Sequence, residues 1–185
     1  MPNWCNNGLT LKHADPAMID RAQHCDGLLM AFLPTPAPLI ETVSGWFGDT
    51  DRQAELEAQR ARNVAQYGSP DWYDWNVKHW GTKWDFEFDS VERVDDNTLT
   101  ARFDSAWSPP IEAYEKLEEL GFEIDAKYYE PGMCFVGTYV TGLGECTFNY
   151  TASAQDVRDE VGEELDDFFG ISESMAQNEE DDQDE

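Results

Sequence analysis

His79, Lys83 and Asp85 bring an imidazole, an ammonium and a carboxylate into one short stretch, the side-chain types used in general acid and base catalysis. An enzyme built on them would need all three to converge in a cleft. The remaining histidines, His13 and His24, lie far away in sequence. There is no His-x-x-x-His pair, Gly-x-Ser-x-Gly elbow, Walker loop or dinucleotide fingerprint. Gly142-Leu143-Gly144 is too short to cradle a phosphate and reads as a hairpin turn. Cys5, Cys25, Cys134 and Cys146 contain no Cys-x-x-Cys pair, so neither a zinc ribbon nor a thioredoxin-like site is signalled; the bland reading is buried free thiols in a reduced cytoplasm, and the alternative is a Cys5–Cys146 or similar bridge. The carboxylates lack the spacing of a calcium loop. The expectation is a non-enzymatic protein without metal or cofactor.

Two other sets of residues could act by binding. Trp4, Trp80, Trp84 and Trp107 could line a groove in which Lys83 is the nearby cation and Asp85 a neighbouring carboxylate, since indoles offer large contact areas and a hydrogen-bond donor. The competing reading is that these tryptophans pack a sheet against a long insertion. The second set is Asp156, Asp159, Glu160, Glu163, Glu164 and Asp167. On one helix the acids at 156, 160, 163 and 167 would recur every three or four residues, about 5–6 Å apart at ~1.5 Å rise per residue. That is comparable to the spacing of phosphates along one nucleic-acid strand, and it suggests charge mimicry of DNA. An ordinary solvated acidic helix has the same spacing.

The charge balance favours a basic partner. The chain has 185 residues and a formal charge of −27 from 39 acids and 12 bases. Residues 151–185 carry −13 of it, with Arg158 as their one base, so the first 150 residues are acidic too. Such a charge repels nucleic acid and anionic membranes and attracts cations or basic protein surfaces. Met1-Pro2-Asn3-Trp4 lacks a basic n-region, and Leu28–Leu33, the longest apolar run, is too short to span a bilayer. These features predict a cytoplasmic protein.

The elements that must position these residues are legible in outline. Leu9-Thr10-Leu11 alternates as a strand, and Asp15-Pro16 caps a helix to about Cys25. Residues 34–48, with three prolines, read as an irregular loop; Asp51 to Gln66 reads as a mostly exposed helix. Trp84, Phe86 and Phe88 alternate with Asp85, Glu87 and Asp89, which predicts a half-solvated strand paired through Asp95-Asp96-Asn97 with Leu99, Ala101 and Phe103. A helix from Pro109-Pro110 to Leu120 ends at Gly121. Strands over about 122–129, 133–141 and 145–150 follow.

This order predicts an α+β, ferredoxin-like antiparallel sheet with helices on one face over residues 1–150, carrying an insertion at about 34–80. Val157, Val161, Leu165 and Phe168 predict one acidic amphipathic helix over 151–170 that docks by a narrow stripe; residues 171–185 read as a disordered acidic tail.

Three motifs, Pro2-Asn3-Trp4-Cys5, Trp80-Gly81-Thr82-Lys83-Trp84-Asp85 and Ala106-Trp107-Ser108-Pro109-Pro110, resemble in kind and order a phage- and plasmid-encoded family with a ferredoxin-like domain, the YubB type. The resemblance implies architecture and a mobile-element origin, and brings no activity with it. Together with the charge, it leads to the expectation of an accessory protein that binds and blocks a basic, nucleic-acid-handling host protein, such as a defence nuclease. The alternative is a small-ligand or peptide-binding module that uses the tryptophan groove.

Overall fold

The computed structural model of the chain describes residues 3–151 and 153–181; Pro2 of the first motif and the tail residues 182–185 lie outside them. In chain order the elements are β1 (Trp4–His13), α1 (Pro16–Gln23), α2 (Leu28–Phe32), α3 (Ala37–Ile40), α4 (Asp51–Tyr67), α5 (Trp72–Trp80), β2 (Ser90–Asp95), β3 (Thr98–Ala106), α6 (Ile111–Glu119), β4 (Phe122–Glu130), β5 (Phe135–Val140), β6 (Gly144–Asn149), α7 (Val157–Val161), α8 (Glu163–Phe169) and α9 (Ile171–Asp181). The strands form one antiparallel sheet in the order β2-β3-β1-β4-β5-β6. Its first four strands, with α1 and α6, make the expected ferredoxin-like arrangement, which β5 and β6 extend on one side. No helix among the described residues is long and apolar enough to cross a membrane.

Strand alternation decides which face each side chain serves. Leu9 and Leu11 of β1, Leu99, Ala101 and Phe103 of β3 and Phe122, Ile124 and Ala126 of β4 point to one side. There they meet Ile19 and Ala22 of α1, Leu28 and Leu29 of α2, Trp80 of α5 and Tyr114 and Leu117 of α6. The predicted insertion therefore packs into the main core. Its long helix α4 is mostly exposed, as its composition suggests: Leu56 is its one buried apolar side chain, beside Gln53 and Asn63. Thr50 caps its start, and Gly68, in the left-handed region at φ 73°, closes its end. The prolines at 36 and 38 flank or open the short α3, a helical turn inside the predicted loop.

The predicted strand over Trp84–Phe88 does not form. Phe86 and Phe88 face the core, with Phe86 stacked on Phe103 at 3.7 Å, but β2 begins at Ser90. The reason lies at the end of β3, where the Thr82 hydroxyl donates to the Ala106 carbonyl (3.0 Å) and accepts from the Ala106 amide (3.1 Å). Thr82 thus takes the Ala106 rung that the β2–β3 register sets opposite Phe86, and the chain rejoins β3 where the Asp89 amide donates to the Arg102 carbonyl (2.8 Å).

The predicted helix over 151–170 is instead two short helices, broken at Gly162 (φ 88°, ψ 151°) and ended at Gly170 (φ 64°), after which a third begins at Ile171. Val157, Val161 and Leu165 do dock, on Tyr129, Val136 and Tyr150 at the far side of the sheet. Phe168 leaves this stripe and lies over Gly8 of β1, with the Arg102 guanidinium 4.2 Å and the Lys127 ammonium 5.1 Å from its ring centroid. A Cβ on Gly8 would collide with that ring, so the close approach requires glycine.

The predicted tail is helical as far as Asp181. Ile171 is fully buried in the far-side core, and Asp166, an acid within the predicted amphipathic helix, is 2% exposed. The Asp166 carboxylate accepts from the Ser172 amide (2.7 Å), the Ser172 hydroxyl (2.8 Å) and Arg158 Nη1 (2.9 Å). Burial pushes the Asp166 carboxyl up, but the bonds from Ser172 and Arg158 outweigh it and hold its pKa below the usual aspartate value. Its contribution to stability is therefore present above the ordinary aspartate range and lost as pH falls through the lower folded-state value. Asp166→Ala should destabilise the C-terminal helices by about 2 kcal/mol, since it leaves the Ser172 amide unpaired. In the wild-type protein the same loosening should set in only below about pH 4; Ile171 methyl resonances followed against pH read out both effects.

Candidate functional site

Three segments distant in sequence meet at one end of the sheet. Trp4 opens β1 and pairs in register with Ala106, so Trp107 lies beside it immediately past β3. The loop after α5 is drawn in between them. Gly81, at φ 78°, ends α5 where a Cβ would strike the Glu112 carboxylate, and its carbonyl accepts from Ser108 Oγ at 2.6 Å. Ser105 Oγ donates to the Ser108 carbonyl (2.7 Å), and the Trp107 amide donates to the Asn3 carbonyl (2.9 Å). Asn76 Nδ2 holds the Lys83 carbonyl at 3.0 Å, while Asn76 Oδ1 accepts from Thr35 Oγ1 at 2.6 Å. These bonds fix the backbone under a group of exposed rings.

That group is a platform. Trp4, Trp84 and Trp107 are 46%, 39% and 41% exposed. Lys83 Nζ stands 4.3 Å from the Trp84 ring centroid, 5.1 Å from that of Trp107 and 5.6 Å from that of Tyr73. Trp4 and Trp84 approach at 6.3 Å, Tyr73 and Trp107 edge to face at 6.4 Å. Trp107 has φ 69°, a left-handed conformation that costs a bulky non-glycine residue ~1–3 kcal/mol. Next to Trp4 a concavity is lined by Asp85, Phe86, Glu87, Asp89 and Asp104, which gives the platform an acidic border.

The other candidate residues have different places. Trp80 is not a groove residue: it is 2% exposed, packs edge to face with Trp75 and donates its indole N–H to the Leu33 carbonyl at 2.9 Å. For this tryptophan the packing alternative holds. Asp85 faces inward, accepting from the amides of Leu29 (2.8 Å), Met30 (2.9 Å) and Phe86 (2.9 Å) at the start of α2. Burial raises its pKa against the opposing effect of those three amides. His79 stacks on Trp75 at 4.4 Å, with its pKa lowered by burial and by Lys78 and Lys116. Lys83, Asp85 and His79 are each engaged with different neighbours, and no acid/base pair forms among them. Of the cysteines, Cys5 is buried, with burial pushing its thiol up to about 12, and Cys25 is half-buried; Cys134 and Cys146 are exposed, contrary to the expectation of buried thiols, and all four are free. Among the described residues no group of three His, Cys, Asp or Glu side chains is arranged to hold a metal ion.

The acidic set does not form one row. Gly162 separates Asp156, Asp159 and Glu160 from Glu163, Glu164 and Asp167, and the phosphate-like spacing assumed a continuous helix. Arg158 binds Glu163 (2.7 Å) and Asp167 (2.5 Å) as well as Asp166, and Lys127 binds Glu164 at 3.1 Å. Glu160 accepts from the Thr151 amide and Asp156 from Ser153 Oγ.

Tyr73 belongs to the site but was not singled out in the sequence. The available signal was Asp71, which caps α5 through the amides of Tyr73 and Asp74 and so fixes the turn that carries Tyr73.

Two substitutions test how the platform is built. Thr82→Val should cost about 1–3 kcal/mol in denaturant unfolding, because both backbone groups of Ala106 lose their partner. Trp107→Gly should leave stability within about 1 kcal/mol of wild type, since relief of the left-handed backbone offsets the lost ring contacts. The same variant should remove whatever binding the platform supports.

Residues 79–173 match the family model described as a ferredoxin-like domain in Api92-like protein. A crystal structure of the protein api92 from Yersinia pseudotuberculosis aligns with 83% of this chain and 99% of its own, at 14% identity and a TM-score of 0.44. No curated protein matches the sequence. The family match spans just over half of the chain and includes Lys83, Trp84 and Trp107; the chain belongs to the family with the ferredoxin-like domain of Api92-like proteins.

Proposed function

We propose that this protein is a non-enzymatic binding module that engages a basic protein surface through the platform of Trp4, Trp84 and Trp107. The observation that carries this reading is the convergence of three half-exposed indoles, one of them on a strained backbone, where a folded chain would ordinarily turn such rings inward. Tryptophan is enriched among the residues that dominate interface energetics, because it brings a large rigid area and one donor. Glu87, Asp89 and Asp104 border the platform and complement a cationic partner. The −27 charge steers such a partner from a distance and speeds the encounter, a role that needs no regular array of acids. This retains the basic partner expected from the sequence and moves the contact from the C-terminal acids to the tryptophans. The mobile-element origin implied by the YubB-type resemblance would make the partner a nucleic-acid-handling host protein, a defence nuclease for example, whose basic surface the module covers and blocks.

A synthetic peptide alternating lysine with leucine is a direct probe. It should bind the full chain and shift the indole N–H resonances of Trp4, Trp84 and Trp107, and a glutamate-for-lysine version should not bind. Trp84→Ala with Trp107→Ala should weaken binding by about thirtyfold, the loss of a buried aromatic anchor. Replacing Glu87, Asp89 and Asp104 by their amides should mainly slow association and flatten its salt dependence. Peptide binding undiminished in the double tryptophan variant would overturn the proposal.

A further inference from the structure

Lys83 is unusually placed for a lysine in so acidic a chain. With 39 acids available, it forms no ion pair among the described residues, and its ammonium group stands instead among the rings of Tyr73, Trp84 and Trp107. Ring faces attract cations within about 6 Å of their centroids through the quadrupole of the π system, and three rings around one point form a cage. All three of the distances here fall inside that range. The backbone of Lys83 is pinned through its carbonyl by Asn76, but among the described residues no hydrogen bond or ion pair holds its ammonium in place. Two walls of the cage, Trp84 and Trp107, are open to solvent. The nearby border of Glu87, Asp89 and Asp104 offers a displaced ammonium somewhere to go.

We infer that Tyr73, Trp84 and Trp107 form a cage for an alkylammonium group, that Lys83 occupies it as an internal placeholder, and that a lysine side chain of the basic partner displaces it. The inference rests on the platform reading and deepens it by naming the group recognised. It also gives Lys83 a role opposite to that of an ordinary contact residue: it competes with the partner. Because guest and placeholder carry the same charge, the exchange leaves the net charge in the cage unchanged. The incoming lysine gains what the resident one gives up, and the resident gains the acidic border.

Tetramethylammonium is the test probe, since it fills an ammonium cage and cannot donate a hydrogen bond. In the wild-type full-length chain, the Hε protons of Lys83 should resonate upfield of ordinary lysine because of the surrounding rings, and should move towards the ordinary position as tetramethylammonium is added. Lys83→Ala should bind tetramethylammonium about fivefold more tightly than wild type, with shifts at the Trp84 and Trp107 indoles. Lys83→Met, which removes the charge but keeps the volume, should show no such gain. Lys12→Ala, the same charge change on the open face of the sheet, should leave affinity unaltered. Lys83 Hε protons at ordinary positions, or equal affinity in Lys83→Ala and wild type, would overturn the cage. In that case, continued loss of lysine–leucine peptide binding in the double tryptophan variant would show that the platform itself still stands.

Discussion

The pair of hydrogen bonds between the Thr82 side chain and the backbone of Ala106 is the constraint on which the rest of this end of the molecule depends. A buried backbone amide and carbonyl must be bonded, and at the end of β3 one threonine hydroxyl serves both. That rung of the β3 edge is therefore taken, and the chain from Lys83 to Phe88 runs outside the sheet until the Asp89 amide donates to the Arg102 carbonyl (2.8 Å). Along this stretch it sends Phe86 and Phe88 into the core and Asp85 to the start of α2, leaving Lys83 and Trp84 at the surface. The same contact draws the loop after α5 against the bend that carries Trp107. Strand pairing alone brings the first and third tryptophan motifs together, and the Thr82 contact, with the bond from Ser108 to the Gly81 carbonyl, adds the second.

The uneven use of cations supports the same picture. Arg60, Arg93 and Arg158 bridge elements by pairing with Asp71, Asp20 and the acids of α8. Arg102 and Lys127 grip Phe168 and hold the C-terminal helices on the sheet. These five cations thus join parts of the chain to one another. Like Arg52 over Phe47, Lys83 has rings and no ion pair among the described residues; it differs in having three of them, with Trp84 and Trp107 exposed.

The sheet was largely legible in the sequence because period-two alternation reports directly on which side chains are buried. Leu99, Ala101 and Phe103 fall in β3, and Ile111, Tyr114 and Leu117 on α6, as their spacing suggests. Alternation reports faces and not hydrogen bonds, so Trp84-Asp85-Phe86-Glu87-Phe88 resembled a strand although Thr82 had already taken the Ala106 rung. The C-terminal segment misled for a related reason. Carboxylates were read as solvated by type, and only the fold shows that Asp166 is buried beneath Ser172 and Arg158. Gly162 and Gly170 were visible, but their left-handed backbones follow from docking on Tyr129 and Val136, which lie far away in the chain. The tryptophan site was half legible: its residue types were evident, whereas the inward turn of Trp80 and the arrival of Tyr73 depend on how the insertion packs.

The position of β1 also bears on how the protein is made. It is the first element of the chain and the middle of the sheet, with β3 on one side and β4 on the other. Asn6 and Asp104, bonded to each other across β1 and β3, are 98 residues apart in sequence. During synthesis this central strand, with its two unsatisfied edges and alternating leucines, must wait for most of the chain to emerge before it can pair. Helices α1 to α5 are made in that interval, and α1, which follows β1 directly and packs on it, is the part placed to cover the apolar face of the unpaired strand. The family-matched stretch from residue 79 onward lacks β1 and would leave β3 and β4 facing an empty slot at the centre of the sheet.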